Sequence, residues 1–349
     1  SAVKIHRKIR PHFGFVGEPV GEIAGCDGDK IMSMTKDQDD FPIYRIMSIY
    51  EFYELYVKKR MKFTLLSAQE DPNDGIEYVL NNFLSLASNK LFDDLQRIKK
   101  NTYISCWTKN KDSVAMWSLY SPQKESLMIT TSYKKLNKTL IKFCEKFSSE
   151  TQWERKPNSF LIMTGCIQES KYLNIRKYFS FIDNEIKEFK NIWKEKVNSG
   201  ITNWDDENFP ISISKFYKTL FDRAKNKFNI NTREHFIKDE SFSHEEEIRA
   251  TILAAISSKY ENFEQWEKSN DERSTFHLDT QDLLPITTFA DIDDDFIEEI
   301  SFDPRMPQYK ISSLINMMNI EKDKVSASNC FNPIITEKIK FDLLDGFTE

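Results

Sequence analysis

The sequence predicts an α+β fold built on a mixed or antiparallel central sheet, and three observations carry that expectation. Segments rich in β-branched and aromatic residues, such as YISCWT (103–108) and SLMITTSY (126–133), are interleaved with amphipathic segments such as KKLNKTLIKFCEKF (134–147). No βαβ rhythm with glycine-rich turns runs along the chain, which disfavours a doubly wound sheet. Residues 171–236 form a charged block whose apolar residues recur at helical spacing; they read as a helical insertion on the core, because their apolar stripes need a partner surface.

Taken in order, residues 1–40 form an N-terminal arm. Five of the nine glycines lie in GFVGEPVGEIAGCDG (14–28), without a nucleotide-binding pattern of strand, loop and helix. MTKDQDD (34–40) reads as a solvated link into a single domain over 41–349. FPIYRIMS (41–48) predicts a short strand, SIYEFYELYVKKR (48–60) a helix capped by Ser48, and MKFTLLS (61–67) a second strand. AQEDPNDG is a turn, and 75–100 carries one or two amphipathic helices. KDSVAMWSLYS (111–121) predicts a short helix and LIMTGCIQ (161–168) a strand. Short strands are expected at 276–280, 284–289 and 296–303, a turn at DPRMP (303–307), and a helix at YKISSLINMMNI (309–320).

A net charge of -6 argues against a broadly basic nucleic-acid-binding face, although KIHRKIR (4–10), KKR (58–60) and RIKK (97–100) are local basic clusters. No apolar run approaches the roughly 20 residues that cross a bilayer, and the basic start lacks the apolar core of a secretory leader, so a cytoplasmic protein without a membrane partner is expected. Five widely spaced cysteines, with no CxxC pair, fit reduced thiols and no structural metal site.

The most informative stretch is FSHEEEIRAT (242–251). Local signals favour a helix: Ser243 and Glu246 have capping-box spacing, and Glu245 and Arg249 are an i,i+4 pair. The alternative is a strand, which places Glu245, Glu247 and Arg249 on one face, the two carboxylates about 7 Å apart beside a guanidinium. Such a pair can divide roles, one carboxylate gripping a hydroxyl and the other taking a proton; the bland version is a surface ion pair.

Several pieces in order resemble a bacterial domain family of unassigned function found in defence contexts: Tyr44-Arg45, EDPND (70–74), Ser105-Cys106-Trp107, Met116-Trp117-Ser118-Leu119-Tyr120, Glu245 to Arg249, and ISFDPRM (300–306). The chain departs from that family in its long insertion and in Asp303-Pro304, where the family has Gly-Pro. More distantly, Tyr-Arg on a first strand and a late E-x-E resemble the ADP-ribosyltransferase superfamily. The resemblance implies an ADP-ribosyltransferase-like sheet and NAD as substrate. Glu247 would steady the developing sugar cation and Glu245 would take the acceptor's proton. Tyr44, Arg45, Asn73 and Arg249 would hold the cofactor, and Trp117 or Tyr120 would offer a flat face to nicotinamide. The superfamily's middle motif falls on Ser67, Ser105 or Tyr120.

Each residue has a plainer role beside this one. Arg45 can pair with an acidic neighbour, Trp117 and Tyr120 can be core, and Asn73 and Asp74 can simply make a turn. A Ser105-Cys106 nucleophile lacks a base in the sequence. The expected function is a toxin or phage-defence effector that modifies a macromolecule, RNA and DNA among the candidates, with a neutralising antitoxin as partner and no metal. Two alternatives stay open: a magnesium-dependent nuclease using Asp71, Asp74, Glu245 and Glu247, and a non-enzymatic sensor or binding module.

Overall fold

The computed structural model of the chain describes residues 40–71, 74, 100–147, 160–198, 213–230, 236–256 and 284–331. The N-terminal arm, Asn73, the helices expected over 75–99 and the strand expected at 276–280 lie outside these residues.

A nine-stranded, mostly antiparallel sheet forms the body. Its strands are β1 (Pro42–Ser48), β2 (Arg60–Leu65), β3 (Thr102–Thr108), β4 (Ser126–Ser132), β5 (Phe160–Glu169), β8 (Glu247–Ile256), β9 (Thr287–Asp291), β10 (Glu299–Phe302) and β11 (Val325–Ser326). The insertion adds β6 (Lys171–Leu173) and β7 (Ile237–Asp239), a separate parallel pair. Helices are α1 (Ile49–Tyr56), α2 (Val114–Tyr120), α3 (Tyr133–Lys146), α4 (Ile175–Asn198), α5 (Ile213–Phe228) and α6 (Gln308–Met318).

Strand β3 is the hub. One edge bonds β8 from Thr102 to Thr108, while the other is shared, Thr108 facing β1 and Tyr103 and Ile104 facing β2. The sheet continues from β1 through β4 to β10 and β11, and from β8 to β5. The only parallel contact in this sheet among the described residues is β10 with β11.

Alternation along the strands gives the sheet two different faces. Ile43, Met47, Trp107, Ile129, Ile248, Ala250 and Ile252 point to one side, where α1, α3 and α6 bury them with Phe52, Leu140 and Leu314. Helix α1 starts where Ser48 accepts from the Glu51 N–H, and α3 where Ser132 accepts from Lys135, each cap satisfying an otherwise unpaired amide. Gly165 on β5 is required by this packing: a Cβ there would stand 2.6 Å from Cys144 Sγ on α3.

The other face is polar over much of its width. Cross-strand partners run Glu247, Thr108, Tyr44, Thr130, Glu299 across β8, β3, β1, β4 and β10, a row about 19 Å long at ordinary strand spacing. Helix α2 lies against this side and drives a fully buried Trp117 onto Tyr44 and Met128.

The insertion carries its own apolar cluster. Ile175, Tyr178, Ile182 and Ile186 line one stripe of α4 and meet Leu220 and Ala224 of α5 and Ile237 of β7. No helix among the described residues is long and apolar enough to cross a membrane.

Candidate functional site

The glutamate stretch divides: Glu245 ends a 3-10 turn, and from Glu247 the chain is a strand and not the α-helix its local signals favour. Asp239 caps a short 3-10 turn over Glu240–Glu245 by accepting from the Ser241 N–H. Glu246 then enters the left-handed region (φ 43°), which ends the turn and turns the chain into β8. From Glu247 onward, β3 and β5 flank the segment and supply ladder partners on both edges. Those long-range bonds, with Ile248, Ala250 and Ile252 in the core, outweigh a capping box and an i,i+4 ion pair each worth about 1 kcal/mol or less.

On the polar face at the start of β8, five ionisable side chains pack together. Arg249, with no exposed surface, grips Asp74 with both terminal nitrogens (2.7 and 3.0 Å) and reaches Glu247 Oε2 from Nε (3.0 Å) and Nη2 (2.9 Å). Glu247 also accepts from the Ser170 hydroxyl at 2.9 Å, and its N–H donates to the Tyr172 hydroxyl at 2.7 Å. Lys238 of β7 donates to Glu245 Oε2 and stands 3.6 Å from Glu247 Oε2. Glu245 accepts on its other oxygen from the Tyr120 hydroxyl at 2.6 Å. Thr108 donates to the Glu245 carbonyl, tying β3 to the turn.

These neighbours set the protonation states. Burial pushes the Glu247 carboxyl up, but the charges of Arg249 and then Lys238, with their hydrogen bonds, outweigh it and hold the group at about 2. Burial works against the charge on Lys238, and Glu247 and Glu245 more than compensate, so its ammonium is held above the ordinary range. The Tyr120 phenol is pushed well up, by burial first and then by the Glu245 charge. The thiol of Cys106, opposite Arg249 in the β3–β8 ladder, is also raised, by lost hydration first and then by Glu247. A thiol held protonated is a poor nucleophile, and Ser105 points to the other face, so neither supplies the nucleophile considered from the sequence.

Among the expected site residues, Tyr44, Trp117, Tyr120, Glu245, Glu247 and Arg249 share the polar side of the sheet. Tyr120 donates to Glu245 and is 45% exposed, so its ring runs from the cluster to the surface. Trp117 is core, and its indole N–H has no hydrogen-bond partner among the described residues. Tyr44 stands two strands from Glu247, about 10 Å away. Arg249 is wholly buried and committed to two carboxylates, so it orients Glu247 and presents no free fork to a diphosphate. Arg45 does not join them. It points to the apolar face, donates to Glu51 and Ser105, and lies 5.7 Å from the Trp107 ring, having found the acidic neighbour of its plainer reading. Alternation decides this: adjacent residues on a strand face opposite ways, so Tyr44 and Arg45 cannot both meet Glu247.

A magnesium site on Asp74 and Glu247 would need the space that the Arg249 guanidinium fills, and the described residues contain no convergent set of three His, Cys, Asp or Glu. Lys238, Ser170 and Tyr172 are the site residues that sequence reasoning did not find. Ser170 and Lys238 sit at the two ends of the insertion, 68 positions apart, and nothing local marks either of them.

Searches with family models, curated proteins and solved structures find no match to this chain.

Proposed function

We propose that the chain is an enzyme of the ADP-ribosyl-transfer type, cleaving the nicotinamide–ribose bond of NAD at the Glu245–Glu247 pair and passing ADP-ribose to a macromolecule. The observation that supports it most is the pair itself: two buried carboxylates, Glu245 at the end of the turn and Glu247 at the start of β8, bridged by Lys238, with Glu247 held ionised and Glu245 linked to surface-reaching Tyr120. The NAD and the superfamily-like sheet come from the motif resemblance, which this geometry accommodates at Glu247 and not at Arg45.

In this reading the C1′–N bond breaks and its electron pair leaves with nicotinamide, while positive charge develops on the ribose. Glu247, held ionised by its cations, steadies that charge, and the hydrogen bonds from Arg249 and Ser170 fix its orientation in advance. The acceptor attacks C1′, and its proton passes to Glu245, with Tyr120 at the solvent end of that route. As a toxin or phage-defence effector acting on RNA, DNA or protein in the cytoplasm, such an enzyme would need a neutralising partner.

The test is incubation of the purified chain and its Glu247→Gln variant with labelled NAD and a cell lysate. The expected result is label on a macromolecule with the natural chain and none with the variant. Loss of label on nuclease digestion assigns a nucleic-acid acceptor, and loss on protease digestion a protein. No label and no NAD consumption overturns the reading.

One observation favours a second reading, a non-enzymatic sensor or binding module. Glu245, Glu247, Arg249, Asp74 and Lys238 are each at most 8% exposed at the side chain and already satisfied by one another, as a structural fastening would be. Full biological function in Glu247→Gln, a change of charge with little change of shape, is the outcome that selects it.

A further inference from the structure

The insertion and the sheet meet at the glutamates. Strand β5 ends at Glu169, and Ser170 at once bonds Glu247 with backbone and side chain: its N–H donates to the Glu247 carbonyl at 2.8 Å and its hydroxyl to the carboxylate at 2.9 Å. Two residues on, Tyr172 of β6 accepts the Glu247 N–H at 2.7 Å. The chain then makes α4 and α5 around their own apolar cluster and returns along β7, parallel to β6. Register places Tyr172 beside Lys238, so the return strand delivers an ammonium group next to the same glutamate that the outgoing strand has engaged. Ile237 and Asp239, the neighbours of Lys238, anchor that strand to the insertion: Ile237 in its apolar cluster, Asp239 by accepting from the Ile175 N–H at 3.3 Å.

We propose that Lys238 is the positioning residue of the Glu245–Glu247 pair, so that the insertion is a working part of the site and not an appended surface. The inference rests on the reading of the pair as the reacting carboxylates.

The charges around the pair make the argument. Glu245, Glu247 and Asp74 face Lys238 and Arg249, with Tyr120, Cys106 and Tyr172 as the other titratable neighbours among the described residues. Arg249 is divided between Asp74 and Glu247, and among the described residues Lys238 is the cation on Glu245 and the one placed between the two glutamates. Without it, two buried carboxylates share a site with no cation between them, and one must take up a proton before the other. The carboxylate that takes it up no longer serves as anion or base, so activity would be lost from the acid side.

The experiment is a carboxyl-13C NMR titration of glutamate-labelled protein, natural chain against Lys238→Met and Lys238→Arg. The two signals are assigned from Glu245→Gln and Glu247→Gln, and NAD consumption is followed over the same pH range. One carboxyl of the pair should titrate about one pH unit or more higher in Lys238→Met and return in Lys238→Arg, with the acid limb of NAD consumption moving alongside. Unchanged titration midpoints in Lys238→Met overturn the proposal, even where thermal stability falls, because a purely structural lysine would cost stability without moving them. Should the Met variant not fold, Lys238→Gln, which keeps a donor and removes the charge, reads the same midpoint. A shifted midpoint with no NAD consumption by the natural chain keeps Lys238 in its role and removes the NAD reading.

Discussion

On one face of the sheet Arg45 meets Glu51 with the side chains 16% and 18% exposed; on the other Arg249 meets Glu247 at 0% and 3%. The residue types are the same and the surroundings are not. Arg45 keeps some water and has a hydroxyl and an indole ring beside it. Arg249 has lost its water entirely and is held by two carboxylates that also depend on it. A desolvated guanidinium is stable only while every partner is present, so the buried cluster is rigid and costly to break, whereas the half-wet pair is tolerant.

The largest effect should come from breaking the buried side. Arg249→Ala removes the guanidinium that grips the buried Asp74 and Glu247 carboxylates, and should lower unfolding free energy by about 3–5 kcal/mol in urea titrations. A loss below about 1 kcal/mol would mean that water enters the cluster freely.

Next comes the acid response. Glu247 has its carboxyl at about 2 in the folded chain against an ordinary value of 4.5. A lowered folded value means that the unfolded chain takes up the proton first as pH falls. The contribution, roughly 3 kcal/mol, is therefore complete above about pH 4.5 and is lost between there and about pH 2. The stability difference between the natural chain and Glu247→Gln should shrink across that window and be flat above it. Other carboxylates lowered in the fold, such as Asp303 beside Arg305, are common to both proteins and cancel in the difference.

The smallest effect belongs to Arg45. Arg45→Met should cost about 1 kcal/mol and leave NAD consumption unchanged. A turnover loss matching that of Glu247→Gln would restore Arg45 to the site and break the distinction between the two faces.

Much of the scaffold was legible in the residues. Ser48 before an amphipathic run announces α1, and YISCWT and SLMITTSY announce β3 and β4 at nearly their observed bounds. These segments carry their own signals, a cap or a β-branched run, that agree with the tertiary outcome. The site was half legible. Glu245, Glu247, Arg249 and Tyr120 could be named because they stand in compact motifs, and they do come together. Arg45 does not join them, because a dipeptide motif does not state which of its members faces which side.

The sequence by itself determined an α+β chain with a charged helical insertion and an acidic stretch worth testing, since hydrophobic period, capping residues and charge are local properties. Only the tertiary structure decided that the stretch becomes a strand from Glu247, because its amides from there on are satisfied by β3 and β5, far away in the chain. Only it decided that Tyr44 and not Arg45 faces the side of Glu247, and only it brought Lys238 to the glutamates, because the parallel pairing of β6 with β7 closes the insertion at that point.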